Sequence, residues 1–236
     1  MSLAESRQTK NKVLLSLPDD EYERVSRHLE PVNLERNKVL HEPEETIREV
    51  YFLNDALISI LSLLSDGSTI EIGVVGREGL SDTSALLGSD VSPHQSLVQL
   101  PGSAFRMKVG PFKEELRRGG KFQQLLLRYA SLLIAQISQV AVCNSLHTIE
   151  ERLSRWLLTS ATRVESNELP LTQEFLSHML GVRRAGVTVA ARTLQTAELI
   201  KYNRGHITII DFEGLESTAC ECYENMKEEF RRYIQF

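Results

Sequence analysis

The chain has 236 residues, a formal net charge of −5, 42% hydrophobic and 25% charged residues, which suits an ordinary globular protein of one large domain or two small ones. The acidic balance excludes a uniformly basic nucleic-acid binder, so any surface for nucleic acid must be local. No apolar run reaches the roughly 18 residues of a membrane span, and Met1–Lys12 is polar with no secretory core, so a cytoplasmic protein without a membrane partner is expected.

Residues 13–30 read as short helical turns, with Pro18 ahead of Asp19, Asp20 and Glu21 as a helix start. From Val32 to Met107 the pattern changes to short apolar runs. Val50-Tyr51-Phe52-Leu53, Leu57 to Leu64 and Ile70 to Val75 are separated by turn residues. Ser65-Asp66-Gly67-Ser68 reads as a hairpin turn, and Gly76, Gly79, Gly88, Pro93 and Pro101-Gly102 supply further turns. Many short strands at this spacing predict a β-roll or barrel, assigned to residues 1–118.

Val109 to about Asn144 reads as helical, with Gly119-Gly120 breaking or beginning the long helix assigned to residues 119–145. Leu126, Ala130, Leu133, Ile137 and Val140 step along it by four, three, four and three residues. That is the 3.5-residue period of a coiled-coil seam and predicts a homodimer. Leu125, Leu127, Leu132 and Ile134 are then left to cover the chain's own β-domain. The alternative is a helix that packs only on its own domain. Residues 146–236 read as mostly helical, with Ile149, Leu153, Trp156 and Leu157 on one face. Leu199–Tyr202 and His206–Ile210 read as two strands joined by the tight turn Asn203-Arg204-Gly205.

The most informative stretch runs from Leu171 to Leu194. Thr172 is a natural N-cap, with Gln173 and Glu174 in the first turn of a helix, and Thr172 and Gln173 are candidate DNA contacts. Phe175, Leu176, Met179 and Leu180 supply its apolar face, and Gly181 stops it in a left-handed conformation. Small Ser177 lets a second helix cross closely, and Val182, Val187, Ala190, Ala191 and Leu194 bury that helix's inner face. Two helices hinged by a short glycine turn are what a DNA-reading module requires.

The outer face of the second helix carries Arg184, Ala185 and Thr188, flanked by Arg183 and Arg192. Arginine suits the two acceptors on a guanine edge, whereas Thr and Ala suit a thymine methyl or a phosphate. Gly186 costs about 1 kcal/mol of helix stability relative to Ala; it either admits DNA to the backbone or eases packing. The two following strands form a wing in which Lys201, Asn203 and Arg204 suit phosphates. From Ser177 to His206 the basic residues Arg183, Arg184, Arg192, Lys201 and Arg204 face one acid, Glu198.

This order of β-roll, long helix and winged helix-turn-helix resembles the Crp/Fnr regulators over nearly the whole chain. The strongest likeness lies in Leu171-Thr172-Gln173-Glu174, Leu180-Gly181-Val182, Arg184, Leu194 and Glu198-Leu199-Ile200. The resemblance implies an α+β fold with a cyclic-nucleotide-binding-like jelly roll at residues 1–118. It further implies a dimerisation helix at 119–145, and a winged helix-turn-helix with a helical tail at 146–236. Double-stranded DNA, a second copy of the chain and RNA polymerase are the partners it implies. Arg184 matches the family's base-reading arginine. The next family positions, often Glu and a second Arg four residues on, hold Ala185 and Val189, so a different operator from the commonest palindrome is expected.

Cyclic-nucleotide binders of the family have a Gly-Glu pair followed by an Arg-Ser pair. Here Ser81-Asp82 takes the first place and His94-Gln95 the second. Asp82, His94 and Gln95 are the candidate effector residues. Asp82 can accept from a hydroxyl, but a neutral histidine does not replace an arginine fork, so no tight binding of cAMP or cGMP is expected. Arg77 or Arg106 is the alternative source of positive charge. The family's iron–sulfur sensors carry an N-terminal cysteine cluster, and no cysteine precedes residue 143. His28 and His41, as single histidines, give little support to a haem site.

Cys143, Cys220 and Cys222 read as reduced, unpaired thiols. Cys220-Glu221-Cys222 has a poor spacing for zinc and no evident second ligand pair. No metal or cofactor is therefore assigned, the effector is unknown, and the tail pair is left as a candidate redox switch. Nothing matches a nucleophile elbow, P-loop or metal-binding helix, so no enzyme is expected. Two functions stand: a homodimeric regulator on a near-palindromic operator, and a small-molecule sensor or interaction module whose helix-turn-helix no longer binds DNA.

Overall fold

The computed structural model describes residues 7–234. It divides into two compact units. The first takes in the described chain up to Ile60, Val74–Ile134 and Tyr233 onward; the second takes in Leu61–Gly73 and Ala135–Arg232.

The chain opens with α1 (Lys12–Leu15) and α2 (Asp19–Ser26), then β1 (Glu30–Leu34), β2 (Val39–His41), β3 (Glu49–Leu53), β4 (Leu57–Leu63), β5 (Thr69–Val75), β6 (Gln95–Leu100) and β7 (Gly102–Lys108). Two antiparallel sheets result, ordered β1-β7-β3 and β2-β6-β4-β5. In the first sheet Arg106 on β7 stands opposite both Glu30 and Tyr51. The expected hairpin turn joins β4 to β5. Gly67 takes φ +83°, and Asp66 Oδ1 accepts from Ser68 N at 2.9 Å. Mixed strands and helices in this order are the α+β architecture expected of the β-roll.

Next come α3 (Val109–Arg118) and the long α4 (Gly120–Leu146). Phe112 on α3, Phe122 on α4 and Phe52 on β3 form a buried aromatic triangle with centroids 6.0–6.4 Å apart. A helix start leaves N–H groups without intrahelical partners. Here the Glu21 carboxylate takes two of them, Lys121 N at 2.9 Å and Phe122 N at 2.8 Å. Tyr129 donates from its hydroxyl to Leu80 O at 3.1 Å. Its ring lies over Gly79, where a Cβ would stand 2.0 Å from a ring carbon.

The α4 packing corrects the predicted seam. Leu126, Ala130 and Leu133 are buried within the protomer, as are Leu125 and Leu132; Ile137 and Val140 are half-buried. Leu127 and Ile134, expected to cover the β-domain, are instead 48% and 58% exposed. The two stripes lie one residue apart, a rotation of about 100° on a helix of 3.6 residues per turn, and the chain's own core takes the wider one. The exposed stripe runs Leu127, Ser131, Ile134, Ser138, Ala141 and Ser145, again stepping by four and three. By length and composition alone α4 is apolar enough to cross a membrane. One side of it is core, as for a helix packed on its own domain.

The second unit continues with α5 (Ile149–Val164), β8 (Glu168–Leu169), α6 (Gln173–Leu180), α7 (Arg184–Thr196), β9 (Ile200–Asn203), β10 (His206–Ile209), α8 (Phe212–Thr218) and α9 (Cys222–Ile234). A small sheet is ordered β8-β10-β9. Thr148 and Glu151 form a reciprocal capping box at the start of α5. The single tryptophan, Trp156 on α5, is buried, donates to Glu71 Oε1 at 2.8 Å and meets Phe175 edge-on at 6.4 Å. Arg152 of α5 donates to Leu180 O at the end of α6.

Candidate nucleic-acid interface

The N-cap of α6 forms as its sequence implies, with Thr172 Oγ1 accepting from Phe175 N at 3.1 Å. Gly181 ends α6 at φ +60°, ψ +39°, a left-handed conformation in which glycine carries no Cβ penalty. Space reinforces the requirement, since a Cβ there would meet Ile70 Cδ1 at 2.6 Å. Three residues later α7 begins, with Arg183 extended at its N-cap. Val187, Ala190, Ala191 and Leu194 are buried, while Val182 is only half-buried.

Gly186 lies against α5, where a Cβ would come within 2.8 Å of Ile149 Cδ1. A side chain there would have to displace Ile149, which gives this glycine a packing reason of its own.

Arg183, Arg184, Ala185 and Arg192 are exposed, and Thr188 is half-buried. Thr188 Oγ1 lies 2.8 Å from Gln173 Oε1 and 3.0 Å from Arg184 O. Its hydroxyl is therefore turned inward and ties α7 to the first turn of α6, while the Gln173 amide nitrogen remains available to donate. Val189 belongs to the same outer face and is 62% exposed. It is an apolar surface of the kind that meets a thymine methyl.

The wing is a two-residue hairpin with Arg204 and Gly205 at φ +44° and +83°, the double positive φ of a type I′ turn. Ile200 pairs with Ile209 and Tyr202 with Ile207. Tyr202 N donates to Gln195 Oε1 at 2.8 Å, which ties the wing to α7. A Cβ on Gly205 would stand 3.3 Å from Thr172 Cγ2, so the wing tip lies beside the α6 N-terminus. Lys201 and Arg204 are exposed. Among the described residues no ion pair engages Arg183, Arg184, Arg192, Lys201 or Arg204. The α6 N-terminus with Thr172 and Gln173, the α7 outer face with Arg183, Arg184, Ala185, Thr188 and Arg192, and the wing with Lys201, Asn203 and Arg204 thus belong to one module.

The candidate effector residues behave differently. Asp82 is buried, with Oδ1 accepting from Ser84 N at 2.9 Å and Oδ2 unpartnered among the described residues. His94 feels the charge of Asp82, but burial dominates and holds its pKa below the usual histidine value. His41, considered above only as a lone histidine, is buried, with Nε2 unpartnered among the described residues. It is also pushed down by burial against an opposing pull from Asp82. Gln95 turns to Glu42 at 2.8 Å. Arg106 is committed to Glu30 at 2.6 Å and Glu49 at 3.4 Å.

The cysteines are free thiols, as expected, but they are not isolated from one another. Cys143, Cys220 and Cys222 are all buried, and their sulfurs converge with a ring nitrogen of His147. Sequence reading found no partner for the tail pair because the pair comes from a distant element. The available signal was Cys143 and His147 at helical i, i+4 spacing.

Residues 151–218 match the profile of the Crp-like helix-turn-helix domain. No significant match is found among curated proteins. Solved structures share the fold at low identity. FixK2 from Bradyrhizobium japonicum superposes with TM-score 0.69 at 13% identity, covering 81% of this chain and 98% of its own. A CRP-family transcriptional regulator from Thermus thermophilus gives 0.66 at 18%, covering 80% and 96%. CLP, the c-di-GMP-responsive global regulator of Xanthomonas campestris, gives 0.66 at 13%, covering 82% and 100%. The chain shares the fold of these regulators, and its residues 151–218 match a Crp-like helix-turn-helix domain.

Proposed function

We propose that this chain is a cytoplasmic, homodimeric transcription regulator that reads a near-palindromic operator, one α7 in each of two major grooves about one helical turn apart. The observation that carries this is the outer face of α7. Among the described residues Arg184 stands there exposed and outside any ion pair, next to a wing whose cations are outside any as well. Arg184 reads base edges, Val189 and Ala185 offer apolar contact to thymine, and Lys201 and Arg204 neutralise phosphates. The exposed Leu127–Ser145 stripe of α4 is the dimer seam. RNA polymerase completes the set of partners.

Neutral histidines and an arginine already paired support an effector site that does not take cAMP or cGMP. A ligand at 100 times its Kd would stabilise the protein by about 2.7 kcal/mol. Thermal unfolding should show no such shift with either nucleotide, and a clear rise in Tm with cAMP would refute this part.

The main test is selection of bound sequences from random duplex DNA by the purified full chain, followed by titration of the selected site. Arg184→Ala should weaken binding by about 1–3 kcal/mol and relax the preference at one position of each half-site. Lys201→Ala should weaken all sequences alike and lower the salt slope by about 1. Unchanged specific binding by Arg184→Ala would refute the assignment of α7. A flat binding response at low salt would favour the other function, a sensor with a degenerate helix-turn-helix, to which the net charge of −5 lends weight.

A further inference from the structure

We propose that Cys143, His147, Cys220 and Cys222 form a tetrahedral zinc site that clips the end of α4 to the α8–α9 junction. None of the four residues is among those assigned to the DNA-reading surface.

The four ligand atoms lie within 4.8 Å of one another. Cys143 Sγ stands 3.4 Å from Cys220 Sγ, and Cys222 Sγ stands 3.5 Å from His147 Nδ1. A tetrahedron with Zn–S near 2.3 Å and Zn–N near 2.0–2.1 Å has S···S edges of about 3.8 Å and S···N edges of about 3.5 Å. Small movements would therefore seat the ion.

Local structure explains the convergence. Cys143 lies on the last turns of α4 and His147 one turn on, with His147 N donating to Cys143 O at 3.2 Å. Cys220 and Cys222 flank the turn into α9, where Tyr223 N donates to Cys220 O at 3.0 Å.

The surroundings suit a metal rather than three idle thiols. His147 turns its other nitrogen, Nε2, to the Glu221 carboxylate at 3.2–3.3 Å. Such a carboxylate–histidine pair fixes the ring and leaves Nδ1 to bind metal. Three thiolates and Zn2+ leave one net negative charge. Arg155 Nε, donating to Cys143 Sγ at 3.2 Å, offsets it. Gln139 Nε2 donates to Cys222 Sγ at 3.0 Å, satisfying a second sulfur. A disulfide between Cys143 and Cys220 would leave Cys222, His147 and Glu221 unexplained. Three soft sulfurs and one imidazole select zinc among common divalent ions, and four protein ligands close the site, which makes it structural.

The test uses the full chain purified under reducing conditions, incubated with zinc chloride and freed of loose metal. Elemental analysis should find close to one zinc per chain. Cys143→Ser and Cys220→Ser should each lower it at least tenfold, and Arg184→Ala should leave it unchanged. Because a cysteine variant could lose metal by misfolding, cobalt exchange into the unaltered chain gives a second readout. Intense tetrahedral d–d bands with thiolate-to-cobalt charge transfer are expected. Substoichiometric zinc, an octahedral cobalt spectrum, a Cys220→Ser variant that keeps its zinc, or a Cys143–Cys220 disulfide in metal-free protein would each overturn the assignment.

Discussion

Replacing Gly181 by alanine separates backbone strain from crowding at the hinge between α6 and α7. The left-handed conformation of Gly181 costs an L-residue about 1–2 kcal/mol. The new Cβ would also meet Ile70 Cδ1 at 2.6 Å and Cγ1 at 3.0 Å. Moving Ile70 off its rotamer adds roughly 0.5–1.5 kcal/mol, so Gly181→Ala should cost about 1.5–3.5 kcal/mol. Gly67 is the control, at φ +83° with nothing within 4 Å of the added Cβ. Gly67→Ala should cost the backbone strain alone. Urea unfolding followed by the fluorescence of Trp156 reports both, because Gly181, Gly67, Ile70 and Trp156 belong to the same compact unit. In an Ile70→Ala background the crowding disappears, and the double-mutant cycle should return a coupling of about 1 kcal/mol. Equal costs at the two glycines, with zero coupling, would refute the claim that Ile70 holds the hinge.

Ile134→Glu places a charge on the exposed α4 stripe and should convert the dimer to monomers in sedimentation, with operator affinity falling in parallel; a dimer of unchanged stability would refute the seam. Thr172→Ala removes the α6 cap and should cost about 1 kcal/mol in the same fluorescence assay. Gly186→Ala gains helix propensity of about 1 kcal/mol but meets Ile149 at 2.8 Å, so stability should change little. Because that crowding is on the inner face, affinity for the operator should stay within about twofold, and a larger loss would mean that DNA approaches the Gly186 backbone.

Much of the DNA-reading module was legible in the residues because its signals are local. A cap at Thr172, a left-handed stop at Gly181 and the turn Arg204-Gly205 each depend on a few neighbouring side chains and on steric rules that hold in any protein. The outer positions Arg184 and Ala185 followed from helical period alone. The α4 seam was legible only as a period. Two apolar stripes one residue apart fit the same helix, and sequence spacing does not say which of them the β-roll covers.

Long-range juxtapositions needed the folded chain. Glu21 caps α4 across 100 residues, and Ile70 crowds the helix hinge from the β4–β5 hairpin. Cys143 and His147 show their spacing on one helix, but Cys220 and Cys222 reach them only after the C-terminal segment packs back on α5 and α4. The sequence by itself determined the kinds of elements, their ends and the residues each could present, because those are set by torsions and neighbouring side chains. The tertiary structure decided which faces are covered and which distant ligands meet, because burial and charge pairing are settled between elements that no local rule connects.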